Sequence, residues 1–159
     1  LIPSGPLREK LKSILKYDAI FLNGNEEDNF DIIKSIRKIS NDIKVFETYY
    51  KIINIHKFNI EGNYLIFSGI GNPNNFKKTL LKNKFNIVKE INFPDHYQYK
   101  KKDIEKIKLI AANLNAKIIT TEKDFVKIAV EDLNDINFLE VDLVIKEQDK
   151  LISFIKSKI

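Results

Sequence analysis

The sequence predicts an α/β fold, a mainly parallel sheet flanked by helices, on three observations. Short apolar runs of strand length alternate with longer stretches whose apolar residues recur at helical spacing. Two of the runs end directly in Asn-Gly or Gly-rich turns. Strands that alternate with helices are joined most simply as parallel neighbours, because parallel pairing needs a crossover connection.

Taken in order, Ser4-Gly5-Pro6 reads as a helix start, with Leu7, Leu11, Ile14 and Leu15 on one face. A buried strand over 19–22 closes at Asn23-Gly24, and Phe30, Ile33, Ile36 and Ile39 mark the next helix. A strand over 45–50 follows, then a polar link over 59–63 and a strand over 64–68 that runs into Gly69-Ile70-Gly71-Asn72-Pro73. The pattern predicts a helix over 73–81, a strand over 85–91 and a loop over 93–99. Next comes a helix capped by Asp103 that carries Ile104, Ile107, Ile110, Ala111 and Leu114. A short strand over 117–120, one or two helical turns over 121–128, an alternating strand over 138–145 and a helix over 151–159 complete the chain.

With 159 residues, 43% of them hydrophobic and 31% charged, the chain can bury one good core. No repeat or low-complexity linker divides it, so residues 1–159 are expected to form a single α/β domain. It has no cysteine, which removes disulfide and thiolate sites, and its only histidines, His56 in a strand-like stretch and His96, are far apart. No stretch approaches the roughly 20 consecutive apolar residues of a spanning helix. The chain opens at Leu1 and contains no methionine, so it is expected to be part of a longer product. The net charge of +5 would suit nucleic acid or an anionic membrane. Only Arg8 and Arg37 of the 27 basic residues are arginine, however, and scattered lysines also read as a solvated surface.

Four segments could carry chemistry. Ser4-Gly5-Pro6-Leu7-Arg8-Glu9 places a guanidinium and a carboxylate in a helix's opening turn, either as a phosphate-facing corner or as a capped surface helix. The glycines of 69–73 permit a tight turn and close approach of another backbone or a ligand. A dinucleotide loop is disfavoured, because Asn74 stands where the third glycine of G-x-G-x-x-G would be. Phe93-Pro94-Asp95-His96-Tyr97 offers a histidine as acid, base or hydrogen-bond partner. Its orienting carboxylate is expected from elsewhere in the protein, since adjacent side chains of an extended segment point apart. Thr120-Thr121-Glu122-Lys123-Asp124 ends a strand, at the edge where open α/β sheets gather ligands, and reads equally as a helix cap.

Together and in order these segments resemble the tetraacyldisaccharide 4'-kinases, whose pattern is P-A-G-P-L-R-E, A-D-x-x-x-x-N-G, G-I-G-N-P, F-x-D-H and T-T-E-K-D. The counterparts here are residues 3–9, Tyr17-Asp18 through Asn23-Gly24, 69–73, 93–96 and 120–124. Departures fall at Ser4 for alanine, Lys10 for proline, Lys77 for a second phenylalanine and Tyr97 for a second histidine. The resemblance implies the C-terminal lobe of a two-lobed P-loop kinase. Such an enzyme transfers the γ-phosphoryl group of ATP to the 4'-hydroxyl of tetraacyldisaccharide 1-phosphate in lipid A biosynthesis. No Gly-Lys-Ser or Gly-Lys-Thr occurs in the sequence. The ATP cradle and magnesium site are therefore expected in a missing N-terminal half, with no metal ligand here, and this chain alone is expected to be inactive.

The resemblance further implies that Ser4, Arg8 and Glu9 contact substrate. His96 would reach a carboxylate of the other half, which takes the proton of the attacking hydroxyl. Gly5, Asn23, Gly69, Gly71, Asn72, Asp95, Thr121, Glu122, Lys123 and Asp124 would shape the site. It places the lipid substrate at the cytoplasmic face of a bacterial inner membrane and makes nucleic acid an unexpected partner. A non-catalytic basic α/β module that binds nucleic acid or an anionic membrane through its lysines is the competing reading.

Overall fold

The computed structural model describes residues 9–24 and 26–159. They are mixed α and β, and every strand pairing whose register is described is parallel. A single domain is the sequence expectation, whereas the chain groups into two compact units, 1–51 with 142–159, and 52–141. Each unit has its own sheet, and the chain passes between them without any Gly- or Pro-rich linker, which is why composition carries no sign of the division.

The first unit contains a three-stranded sheet ordered β1 (Ala19–Asn23), β2 (Lys44–Ile52), β7 (Val141–Ile145). Helix α1 (Glu26–Arg37) makes the β1-to-β2 crossover, and Ile36, Ile43 and Phe46 are buried. Phe46 packs against Phe21 and against Phe154 of the last helix, α5 (Gln148–Lys156), with ring centroids 5.7 and 5.8 Å apart. Arg37 is a staple here. Its guanidinium donates to the carbonyls of Asn41 and Ile43 at 2.9 and 2.8 Å, closing the turn that feeds β2. Residues 11–16 form a 3-10 helix.

The second unit is a four-stranded parallel sheet in the order β4 (Asn86–Asn92), β3 (Asn63–Ser68), β5 (Lys117–Thr121), β6 (Ile136–Leu139). Strand β3 lies inside the sheet, and its side chains alternate between two cores. Tyr64 and Ile66 pack with Phe76 and Leu80 of α2 (Pro73–Lys82), while Leu65 and Phe67 pack on the other face with Ile104, Ile107 and Ala111 of α3 (Lys101–Asn113). Helix α4 (Glu122–Phe125) sends Phe125 to the face that α3 covers. The chain therefore leaves β3 toward one face and leaves the neighbouring β5 toward the other. That divergence is a topological switch point, at the carboxyl edge of the strands.

Three local expectations are corrected. The alternating 138–145 stretch is two strands in different sheets, parted at Glu140. Asn54 captures that residue: its side-chain oxygen accepts the Glu140 N–H at 3.1 Å and its amide donates to the Phe138 carbonyl at 2.9 Å. His56 sits in a 3-10 turn, 55–57, and not in a strand. Asp103 is the third residue of α3 and not its N-cap, and it stabilises the start by accepting the Lys100 N–H at 3.0 Å. Among the described residues no helix is long and apolar enough to cross a membrane.

Candidate functional site

Three sequence-distant segments meet at the switch point of the second sheet: the glycine turn after β3, the 93–97 loop after β4, and the Thr-Thr-Glu-Lys-Asp stretch that ends β5 and opens α4. Parallel pairing puts the carboxyl ends of these strands on one edge, so local turns with no sequence contiguity become neighbours.

The centre is Asp124, fully buried. One carboxylate oxygen accepts the Gly69 N–H at 3.0 Å and the Thr121 hydroxyl at 2.7 Å; the other accepts from Lys127 Nζ at 3.1 Å. Burying a carboxylate is costly unless donors surround it, and here three do. Thr121 also caps α4, accepting the Asp124 N–H at 3.2 Å. Thr120 is buried and donates to the Phe67 carbonyl at 2.8 Å, tying β5 to β3.

The glycines serve close approach between backbones. Neither has a left-handed φ, so conformational freedom is not their use. A Cβ on Gly69 would lie 3.1 Å from the Pro94 carbonyl oxygen, 3.1 Å from the Tyr99 hydroxyl and 3.2 Å from Tyr97 Cβ. One on Gly71 would meet only the Asp95 carboxylate, at 3.3 Å. The 93–99 loop is what the glycine turn receives. Asn72 caps α2, its side chain accepting the Asn75 N–H at 3.2 Å, with Pro73 at the first helical position.

His96 sits at the third position of a tight turn closed by Tyr97 N–H to Pro94 C=O at 3.2 Å, with a φ of 61°. That left-handed value suits the third residue of a type II turn. Its backbone N–H donates to the Gly69 carbonyl at 3.2 Å and to Asp95 Oδ1 at 3.0 Å. The turn overrides the expectation that Asp95 and His96 point apart: Nε2 of His96 lies 3.8 Å from Asp95 Oδ2. Lys123 Nζ lies 3.6 Å from the other oxygen of Asp95. Partial loss of hydration pushes the Asp95 carboxyl up. The charges of His96 and Lys123 and the His96 amide outweigh it, and the group titrates below the ordinary carboxylate range. The imidazole is 74% exposed, so it is held by its backbone and presented by its side chain.

Sequence reasoning missed the aromatic support. Phe93, Tyr97 and Tyr99 pack on one another, and Phe93 and Tyr99 also pack on Phe67, with centroids 4.7 to 6.4 Å apart. Tyr97 donates to Asp103 at 3.0 Å, and that bond to the carboxylate, with partial burial, pushes the Tyr97 hydroxyl pKa up. The Tyr99 hydroxyl is shut off from solvent beside the Asp124 carboxylate, and burial together with that neighbouring charge pushes it strongly up. Three aromatics within seven residues of a polar loop were the available signal.

The edge thus gathers Gly69, Gly71, Asp95, His96, Thr121, Lys123 and Asp124. Glu122 is exposed on the first turn of α4. Glu9 is exposed and Asn23 closes β1, both in the first unit, where the Gly24 N–H donates to the Thr48 carbonyl at 3.3 Å. Ser4, Gly5 and Arg8 lie outside the described residues. Among the described residues no three His, Cys, Asp or Glu side chains gather as a metal cage.

Fold and site define a class: a parallel α/β protein whose working loops follow the carboxyl ends of strands at a switch point. Within that class, the model of the LpxK family, tetraacyldisaccharide-1-P 4'-kinase, matches residues 1–159, and the chain belongs to that family. It is 42% identical over 150 residues to the tetraacyldisaccharide 4'-kinase of Pelagibacter ubique, a match covering 94% of this chain and 48% of that protein. Its identity to the enzyme of Rickettsia typhi is 38% over 154 residues, covering 95% of this chain and 45% of the relative. The chain thus spans about half the length of these curated relatives, and the match falls in their C-terminal half. A crystal structure of LpxK from Aquifex aeolicus in complex with ATP superposes with a TM-score of 0.59 at 22% identity, over 99% of this chain and 47% of that one.

Proposed function

We propose that this chain is the C-terminal part of an ATP-dependent lipid kinase that phosphorylates the 4'-hydroxyl of tetraacyldisaccharide 1-phosphate in lipid A biosynthesis. The observation that carries the reading is the exposed His96 imidazole, presented by a rigid turn at the carboxyl edge of a parallel sheet in a chain of the LpxK family. In the reaction the sugar oxygen bonds to the γ-phosphorus of ATP, the bond to the β-phosphate oxygen breaks, and ADP leaves. The hydroxyl proton passes to a carboxylate elsewhere in the complete protein, which His96 orients by hydrogen bonding.

The described residues do not form a magnesium cage, and the sequence contains no Gly-Lys-Ser or Gly-Lys-Thr. In this reading the phosphate cradle and the magnesium ligands belong to the rest of the protein. Arg8 binds a substrate phosphate through its planar fork, Ser4 and Glu9 also contact substrate, and Gly5 and Asn23 shape the site. The lipid reaches the enzyme at the cytoplasmic face of the inner membrane.

The test is transfer of labelled phosphate from ATP to tetraacyldisaccharide 1-phosphate by the complete protein. His96→Ala is expected to lower kcat by about a hundredfold or more with a much smaller change in KM. Unchanged turnover removes His96 from the site. Arg8→Lys is expected to weaken lipid use, because a point charge replaces a bidentate fork, and wild-type kinetics in that variant would return Arg8 to an ordinary helix surface.

A further inference from the structure

We infer that Asp124 is the positioning residue of His96, acting through the Ser68–Gly69 backbone. Its kinetic consequence rests on the function proposed above; its structural content does not.

Both ends of the His96 loop hang on two consecutive peptide groups. The Ser68 carbonyl accepts the Phe93 N–H at 2.8 Å, and the Gly69 carbonyl accepts the His96 N–H at 3.2 Å. Between these two carbonyls lies the Gly69 N–H, which donates to buried Asp124 at 3.0 Å. The Gly69 N–H and the Ser68 C=O belong to one peptide plane, so a carboxylate on the N–H polarises the plane and strengthens the carbonyl that holds Phe93. Gly69 in turn carries the carbonyl that holds His96. No side-chain contact fixes the imidazole as firmly, since Asp95 is 3.8 Å away.

Asp124 is itself fixed by Thr121 and Lys127, both donors. Every partner of the carboxylate is a donor, so an amide cannot replace it: an asparagine NH2 would face either the Lys127 ammonium or the Gly69 N–H and Thr121 hydroxyl. In either orientation the Gly69 N–H loses its charged acceptor: with the NH2 toward Lys127 it keeps only a neutral amide oxygen, and with the NH2 toward Gly69 it keeps none, while side-chain volume barely changes. Lys127→Gln added to Asp124→Asn supplies an acceptor for the new NH2 and returns the remaining oxygen to Gly69.

The experiment is amide hydrogen exchange of Phe93 and His96 in the protein, read by NMR, for wild type, Asp124→Asn, Asp124→Asn/Lys127→Gln and Leu80→Ala. Leu80, fully buried against the other face of the sheet, serves as a control for general loss of stability. The expected result is exchange at both amides faster by about tenfold in Asp124→Asn, recovered toward wild type in the double variant and unmoved in Leu80→Ala. Unchanged exchange in Asp124→Asn, or an equal rise in Leu80→Ala, overturns the inference. If the single variant does not fold, the double variant against Asp124→Ala/Lys127→Gln gives the same comparison. In the complete kinase, kcat should fall by about tenfold in Asp124→Asn with KM little changed, and recover in the double variant. Exchange that responds as described in a protein without lipid kinase activity sinks the proposed function and leaves the role of Asp124 standing.

Discussion

Replacing Gly69 by alanine separates two reasons for a glycine, backbone freedom and close packing. The backbone there has an ordinary negative φ, so alanine meets no conformational penalty and, by restricting the unfolded chain, would by itself stabilise by about 0.4–1 kcal/mol. Against that stand three contacts at 3.1 to 3.2 Å, one of them to the backbone oxygen of Pro94, which cannot rotate away. Overpacking of this kind costs about 1–3 kcal/mol, so Gly69→Ala is expected to lose about 1–2 kcal/mol net. Gly71→Ala is the internal comparison. Its added carbon meets only the Asp95 carboxylate at 3.3 Å, a half-exposed side-chain end that can swing aside, so its stability should stay within about 0.5 kcal/mol of wild type. Urea denaturation followed by far-ultraviolet circular dichroism measures both. Equal effects in the two variants, or a stabilised Gly69→Ala, would refute the assignment of the glycine turn as a seat for the 93–99 loop.

Two further perturbations follow from the same geometry. Asn54→Ala removes an amide that is buried and bonded to Phe138, Glu140 and the Glu140 N–H, and should destabilise by roughly 1–3 kcal/mol in the same denaturation assay; a neutral result would mean that strands β6 and β7 part without its help. On the acid side, Glu47, Glu90, Asp95, Asp103 and Glu140 all titrate below their ordinary values of 4.5 or 3.8, Glu47 chiefly through its bond from Asn29, Glu90 through Lys77 and Glu140 through Lys57. Depressed folded values mean stability that is complete above those ordinary values and lost as pH falls through the folded ones. Thermal stability should therefore hold steady down to about pH 5 and decline below about 4.5, with a shallower decline in Glu90→Gln; a decline that begins near neutrality would assign the acid sensitivity to other groups.

Element types were legible because they depend on neighbours in the chain. The helical spacing of Ile104, Ile107 and Ala111, the apolar run into Ser68, and the cap at Thr121 each draw on three or four residues, and the structure places them where the local pattern puts them. Family membership was legible for a related reason: five short segments in register are a one-dimensional pattern, and the family model matches the whole chain.

Tertiary structure alone decided what depends on residues far apart in sequence. The partner of Gly69 is 55 residues away and that of Asn54 is 84 or more away, so neither the burial of Asp124 nor the break at Glu140 leaves a local trace. The same holds for the pairing of Asp95 with His96, where a left-handed residue inside a turn reverses what an extended segment would do. It holds too for the division into two sheets, which is made by hydrogen bonds between strands and not by any linker. Sequence determined which elements form and which family they belong to; the order in which parallel strands lie side by side determined that three separate loops share one edge.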